Sequence, residues 1–286
     1  MRRARAAAAF LGPAGLAGLG LLAAVALAVA AGPAISPYGA AEQELGARLQ
    51  GPSWTHPFGT AELGEDVLTQ TLVSGRVSLV VGLATALAAT LVGAGLGLAA
   101  GWRGGWVDAL LSRVTDLFLI VPAFVVLIVL SLAFERVGPA EVVLILALMS
   151  WPPLFRLARA SAMRTRELPY VEAARAAGAA APRVVLRHLL PAAAPEIASF
   201  GALAVGVAVL AESALSFLGL GIDPDGDRSW GAMASGAGDT LEEHPWLTLA
   251  PGLAIVVTVL AVSLIGEGVR RGLDPRATPP PRREGV

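Results

Sequence analysis

The chain has 286 residues, 55% hydrophobic and only 15% charged, with a formal net charge of −1; a soluble domain of this size would carry about 25% charged residues. The deficit lies in long apolar runs, which marks an integral membrane protein rather than a soluble core, and the absence of a basic field offers nothing to nucleic acid. Cysteine and lysine are both absent, which excludes disulfides, thiolate metal sites, cysteine nucleophiles and the lysine of a standard P-loop, so any ATP that drives a process here is bound on another polypeptide.

Runs of about 20 apolar residues cross a bilayer as helices, and six are read here, at 10–31, 77–101, 114–134, 142–160, 192–211 and 247–266. In lipid the backbone must satisfy its own hydrogen bonds, and the alternation of a barrel strand is missing, so the expected fold is all-α and polytopic. The first span follows Met1-Arg-Arg-Ala-Arg5, and the alanines near Ala31 are similar to a secretory cleavage site. The run is longer than the roughly 7–15 residues of a signal core, which favours a retained anchor over a cleaved signal. In the third span Pro122 reads as a plain kink. In the fourth, Trp151-Pro152-Pro153 removes two backbone donors, so the helix is expected to kink or open there. Broken helices at membrane depth are tolerated where they are buried in protein or line a cavity, which makes these three residues candidates for pathway or gating, with a packed kink as the alternative.

The arginines set the orientation. With the N-terminus in the cytoplasm, that side collects Arg2, Arg3, Arg5, Arg103, Arg113, Arg156, Arg159, Arg164, Arg166, Arg175, Arg183 and Arg187, together with Arg270, Arg271, Arg276, Arg282 and Arg283 of the tail. Only Arg48, Arg76, Arg136 and Arg228 fall outside, so both termini are expected in the cytoplasm. Acidic residues are sparse in the spans: Asp116 near the start of the third, Glu196 near the start of the fifth and Glu212 near its outer end. An ion-coupled carrier would hold such groups near mid-membrane. Asp116 and Glu212 are read as interhelical or interfacial contacts, with gating or cargo contact as the alternative. Asp223-Pro-Asp-Gly-Asp227 lacks the glycine and closing glutamate of a calcium loop. His56, His188 and His244 fall on both sides of the membrane and cannot share one metal, and no serine-hydrolase elbow occurs.

One charged segment lies between apolar ones: Tyr170-Val-Glu-Ala-Ala-Arg-Ala-Ala-Gly178, followed by His188-Leu-Leu-Pro191. Pro169 suits a first helical turn, and Glu172 meets the positive end of the helix dipole. Ala173, Ala174, Ala176 and Ala177 favour helix and carry almost no bulk. Gly178 permits a turn or close backbone contact, and Pro182 limits extension. A short rigid helix over 169–181 is expected, small-faced and suited to docking a partner rather than to catalysis.

This segment resembles the "EAA" loop of permease subunits in ATP-binding-cassette importers. His188 stands where an isoleucine often precedes the Leu-Pro, a departure similar to the dipeptide, oligopeptide and nickel branch. His56-Pro-Phe-Gly-Thr60, Gly64, Asp66-Val-Leu68 and Arg76-Val-Ser-Leu79 resemble the lead-in of C-type permeases of that branch, with Ala61 and Glu65 departing from a usual aspartate and arginine. Gly104-Gly-Trp-Val-Asp108, Leu215-Ser-Phe-Leu-Gly-Leu-Gly221, Ser229-Trp-Gly231, Pro251-Gly252 and Asp274-Pro-Arg276 are similar to further landmarks. The resemblance implies a type I importer permease: an arm and first helix at 1–35, a periplasmic segment at 36–73, a permease domain at 74–267 with its EAA loop at 165–191, and a cytoplasmic tail at 268–286. It implies a non-catalytic subunit in a bacterial inner membrane, with ATP and magnesium held by two partner ATPases. A second homologous permease and an extracytoplasmic binding protein would complete the assembly. Glu172, Ala173, Ala174, Gly178, His188, Leu190 and Pro191 are the implied ATPase-coupling residues, and no cofactor or metal is expected on this chain. The implied cargo is a peptide, with nickel, opine, glutathione or sugar as alternatives in the same class. An ion-coupled carrier is the rival from another class.

Overall fold

The computed structural model describes residues 2–39, 42–134, 136–222, 228–237 and 240–272. The acidic loop at 223–227 and the tail with Asp274-Pro-Arg276 lie outside the described residues. Ten α-helices follow one another among the described residues: α1 (Arg2–Ile35, interrupted at Gly12), α2 (Val67–Arg103), α3 (Gly105–Ile120), α4 (Ala123–Ser131), α5 (Pro139–Arg166), α6 (Pro169–Ala176), α7 (Ala181–Val184), α8 (Leu190–Phe217), α9 (Trp230–Gly236) and α10 (Trp246–Gly272). No strand forms among them; one antiparallel bridge joins Thr60 and Asp66.

Five stretches are long and apolar enough to cross a membrane: Leu11–Gly32, Val67–Arg103, Pro139–Arg166, Ala181–Phe217 and Trp246–Gly272. The expected third span is different. It is the pair α3 and α4, bent by 82° at Val121-Pro122. Val121 is extended, with φ −77° and ψ 130°. The ring of Pro122 disfavours a helical residue before it. Pro122 is therefore a break in the span and not a plain kink. At Pro152-Pro153 the helix does not open: α5 runs through both prolines, in line with the packed alternative. Proline's locked φ is itself helical, and Trp151, Pro152, Leu154 and Phe155 are buried against neighbouring helices that hold the turn in place.

Hydrophobicity does not drive helix association in lipid, so close packing depends on small side chains. The tightest pairing is α2 with α5, and α1 lies along α10. Gly93, Gly97 and Gly101 put one face of α2 directly on the α5 backbone; a Cβ at Gly97 would stand 2.4 Å from the Phe155 carbonyl oxygen. On the other seam Gly18 meets the Ala261 carbonyl of α10. The start of α1 and the end of α10 therefore share one end of the bundle, where Arg166 also donates to the Gly101 carbonyl at the end of α2 (2.9 Å).

Residues 42–66 and α9 cover the opposite end. Asp66 caps α2 by accepting from the Thr69 amide (2.8 Å), and buried His56 holds the other Asp66 oxygen through Nδ1 at 3.0 Å. Glu65, the charge-reversed position, is buried beside Arg228 at 3.4 Å, and Arg228 also donates to Gln70 at 2.8 Å. Arg76 lies inside α2 rather than in a loop. It donates to the carbonyls of Val29 and Ala30 near the end of α1, of which Val29 has no helical donor because Pro33 lacks an N–H.

Candidate functional site

The charged segment begins where α5 ends. Leu168 is extended, with φ −78° and ψ 142°. Pro169 imposes this on the residue before it and then starts α6. The helix is shorter than the expected 169–181 and stops at Ala176. Gly178 adopts φ +81°, and its amide reaches the Arg175 carbonyl (2.9 Å) while the Ala179 amide reaches that of Ala174 (3.1 Å). This is a Schellman stop, whose left-handed residue suits glycine and strains other side chains.

Two contacts fix α6 to the bundle. Val171 is fully buried in a cluster with Leu98 of α2, Ala158 and Ala162 of α5, and Ala193 and Ile197 of α8. The guanidinium of Arg175 lies 5.5 Å from the Trp102 ring centre at the end of α2, within cation–π reach. Everything else on α6 faces outward: Glu172, Ala173, Ala176, Ala177 and Gly178 are exposed, Tyr170 is half-exposed and Ala174 is partly covered. A surface of mostly small residues with one carboxylate thus projects from one end of the bundle, on a helix whose inner side reaches three long helices.

The second half of the motif is not a loop. Residues 181–189 are helical and run into α8, passing through a π-helical turn at Val185–Leu189. Pro191 has no amide for the Arg187 carbonyl, and its ring clashes with a carbonyl four residues back. The wider turn, with the Leu190 amide on the Val185 carbonyl, relieves this crowding. His188 is half-buried with its ring 5.8 Å from that of Tyr170, Leu190 is partly buried and Pro191 exposed. The structure thus brings Glu172, Ala173, Ala174, Gly178 and His188 to one end of the bundle, with Leu190 and Pro191 as the base of α8.

The remaining candidates lie elsewhere. Trp151 packs edge-on against Phe118 of α3 and Phe155 of its own helix, so its ring is enclosed within this chain. Pro152 is buried and Pro153 exposed. Asp116 of α3 pairs with Arg156 of α5 at 2.7 Å. Nearer the start of α3, Arg159 grips Asp108 with Nε and Nη2, the latter at 2.6 Å. These two rungs tether α3, otherwise poorly covered, to α5. Glu212 is fully buried near the opposite end and accepts from Ser216 (2.8 Å), Ser78 (3.3 Å) and Ser213 (3.4 Å). Ser78 in turn accepts from the Trp230 amide, and Ser216 from that of Ile222. The carboxyl is therefore the hub of a network that pins α9 and the turn after α8 onto α2.

Asp116 makes the interhelical contact read from the sequence; the Asp108–Arg159 rung and the glycine seam were not foreseen. Gly93, Gly97 and Gly101 stand at four-residue spacing, the signal of close helix approach in membranes. The Asp108–Arg159 rung carries no such signal, because its residues lie 51 apart.

Comparison with known proteins agrees with this architecture. The pattern of the family described as "binding-protein-dependent transport system inner membrane component" matches residues 93–279. A Brucella suis protein named as a peptide permease is 39% identical over 262 residues, covering 91% of this chain and 86% of that protein. A Sinorhizobium fredii protein named as a peptide ABC transporter permease is 40% identical over 230 residues, covering 80% of this chain and 78% of that one. An all-α multi-pass chain with this pattern over most of its length belongs to the family of binding-protein-dependent inner-membrane transport components, the permease subunits of ABC importers.

Proposed function

We propose that this permease subunit moves peptides and takes its power stroke through α6, which seats in a cytoplasmic ATPase. The observation that carries the reading is the two-sidedness of α6: a small, exposed outer face over an inner face rooted by Val171 in α2, α5 and α8. A partner that grips the outer face and moves by a few ångströms displaces three long helices together, since packed cores shift as units and do not deform continuously. Glu172 in the first turn favours the helix through the dipole, and the alanines admit close approach. The chain contributes no covalent chemistry in this reading. A second permease completes the path, two ATPases bind ATP and magnesium, and a binding protein delivers cargo at the opposite end. Peptide cargo is supported by the names of the relatives in Brucella and Sinorhizobium.

The test is Glu172→Arg, at an exposed position outside the buried cluster that anchors α6, with Glu172→Gln as the control for the lost dipole contact. The expected result is normal insertion, loss of ATPase subunits on gentle purification, and loss of peptide uptake that in the wild type is vanadate-sensitive and indifferent to ion gradients. Wild-type uptake by this variant overturns the coupling role of α6, and uptake abolished by collapsing an ion gradient overturns ATP as the power source.

A further inference from the structure

A groove of about 570 Å³ runs between α1 and α2 at the end of the bundle opposite α6. Leu27 and Ala31 of α1 and Leu72 of α2 wall its inner part, and Tyr38, Trp54 and Pro57 stand at its rim. Its floor is closed at Gly32, where Leu72 occupies the space that a Cβ would fill. Asp66 is the one charged residue among the described residues that line it. Both of its oxygens are taken, one by His56 and the other by the amide and hydroxyl of Thr69 at 2.8 and 2.7 Å. The groove therefore offers apolar surface and no free charge.

At the rim Trp54 is wholly exposed, and its indole N–H meets no acceptor among the described residues. It is nevertheless held in place. The Ser53 amide donates to the His56 carbonyl (2.8 Å) and the His56 amide to Ser53 Oγ (3.0 Å), closing a tight turn with Trp54 near its tip. Tyr38 braces the turn by stacking on the His56 ring at 4.6 Å and donating its hydroxyl to the Thr55 carbonyl at 3.1 Å. A bare indole on a braced turn is built to meet something outside this chain.

Position says what it meets. The first span, Leu11–Gly32, has 22 residues, about 33 Å of helix, against a hydrocarbon core of about 30 Å. The groove starts at Leu27, inside that core, and continues past Ile35, beyond it. Helix α1 packs chiefly on α10 and α2, so it lies at the edge of the bundle, with Leu27 and Ile35 largely exposed. The groove is thus continuous with the lipid-facing side of two spans, and Trp54 and Tyr38 stand where the hydrocarbon gives way to head groups. Tryptophan and tyrosine favour that level, because an apolar ring and a polar tip are both satisfied there.

We propose that this groove seats a phospholipid of the leaflet opposite α6, an acyl chain lying between α1 and α2 and the Trp54 indole at the level of the ester groups. The inference rests on the chain spanning a bilayer and is independent of what it transports. Through His56 the turn is joined to the Asp66 cap of α2, so a seated Trp54 fixes the depth at which α2 begins.

The experiment uses the tagged chain with the subunits that co-purify, reconstituted into phosphatidylcholine vesicles whose chains carry bromine either beside the ester or near the methyl end. Emission of the wild type minus that of Trp54→Phe isolates the signal of Trp54. This signal is expected to lose most of its intensity to bromine beside the ester and less to bromine near the methyl end. A nitroxide on Trp54→Cys gives an independent reading. Glu62→Cys, an exposed position of the same cover, is the control facing water, and the unsubstituted chain, which has no cysteine, is the blank. The label at 54 is expected to be open to oxygen and shielded from a water-soluble nickel chelate, with the reverse at 62. Emission untouched by either bromine, or a label at 54 as open to nickel as that at 62, overturns the proposal in favour of a tip in water. A label at 54 shielded from oxygen and nickel alike overturns it in favour of a covering subunit. Stronger quenching by bromine near the methyl end overturns the interfacial placement of Trp54.

Discussion

At Gly97 an added methyl group would meet the Phe155 carbonyl oxygen of α5, whereas at Gly95, on the open side of the same helix, it would meet nothing within 4 Å. Gly97→Ala is therefore expected to destabilise the subunit by about 1–3 kcal/mol, the usual range for forced overpacking. Gly95→Ala should be neutral or stabilising by up to about 1 kcal/mol through helix propensity. Thermal unfolding in detergent checks both, and equal behaviour would remove the glycine seam as the reason for the α2–α5 approach. Glu212 offers a second test. Its replacement by leucine deprives three serine hydroxyls of their acceptor, and two of those serines hold the Trp230 and Ile222 amides. Amide exchange at Trp230 and Ile222 is expected to speed about tenfold or more, in line with the cost of broken buried hydrogen bonds, while α5 and α10 keep their protection. Exchange unchanged at those two amides would demote the network to ornament.

Among the elements, α3 and α6 each rest on few contacts. Two rungs of unequal exposure hold α3. The pair of Arg156 with Asp116 is open to solvent, so Arg156→Gln should cost no more than about 1 kcal/mol. Arg159 makes a forked, half-buried bond to a charged acceptor, so Arg159→Gln should cost about 1.5–3 kcal/mol. Protease susceptibility of α3 against unfolding temperature separates the two, and equal losses would mean that α3 is held by its apolar face alone. For α6 the stop at Gly178 matters most. Valine there must adopt φ +81°, at a cost of about 1–2 kcal/mol. Gly178→Val is expected to let α6 fray or extend, with retained insertion and reduced ATPase co-purification. Normal co-purification would remove Gly178 from the proposed ATPase-coupling residues.

At the scale of the whole molecule, α1 begins and α10 ends at the same end of the bundle as α6, and residues 42–66 cover the other end with α9. Because the chain has no cysteine, single substitutions report topology without background. Ser53→Cys and Arg175→Cys, both at exposed positions, are expected to react with a membrane-impermeant maleimide from opposite faces of sealed vesicles. Labelling of both from one face would overturn an odd number of crossings between them. The apolar runs alone foretold an all-α membrane protein, because a bilayer admits few other backbones. The EAA segment likewise announced a short exposed helix, since proline, alanine and glycine each act locally on the chain. Where reading failed, the deciding interaction was distant. Pro122 and Pro152-Pro153 look alike as breakers in one dimension. Pro122 ends a helix that has little packed around it, while Pro152-Pro153 are carried through by the burial of Trp151, Leu154 and Phe155 against α2 and α3. The Asp108–Arg159 rung and the serine partners of Glu212 likewise join residues far apart in the chain. Composition and local stereochemistry determined which segments are helices and which short one lies exposed at the end of the bundle; only the packing of those helices decided which break, which stay whole, and which charges meet.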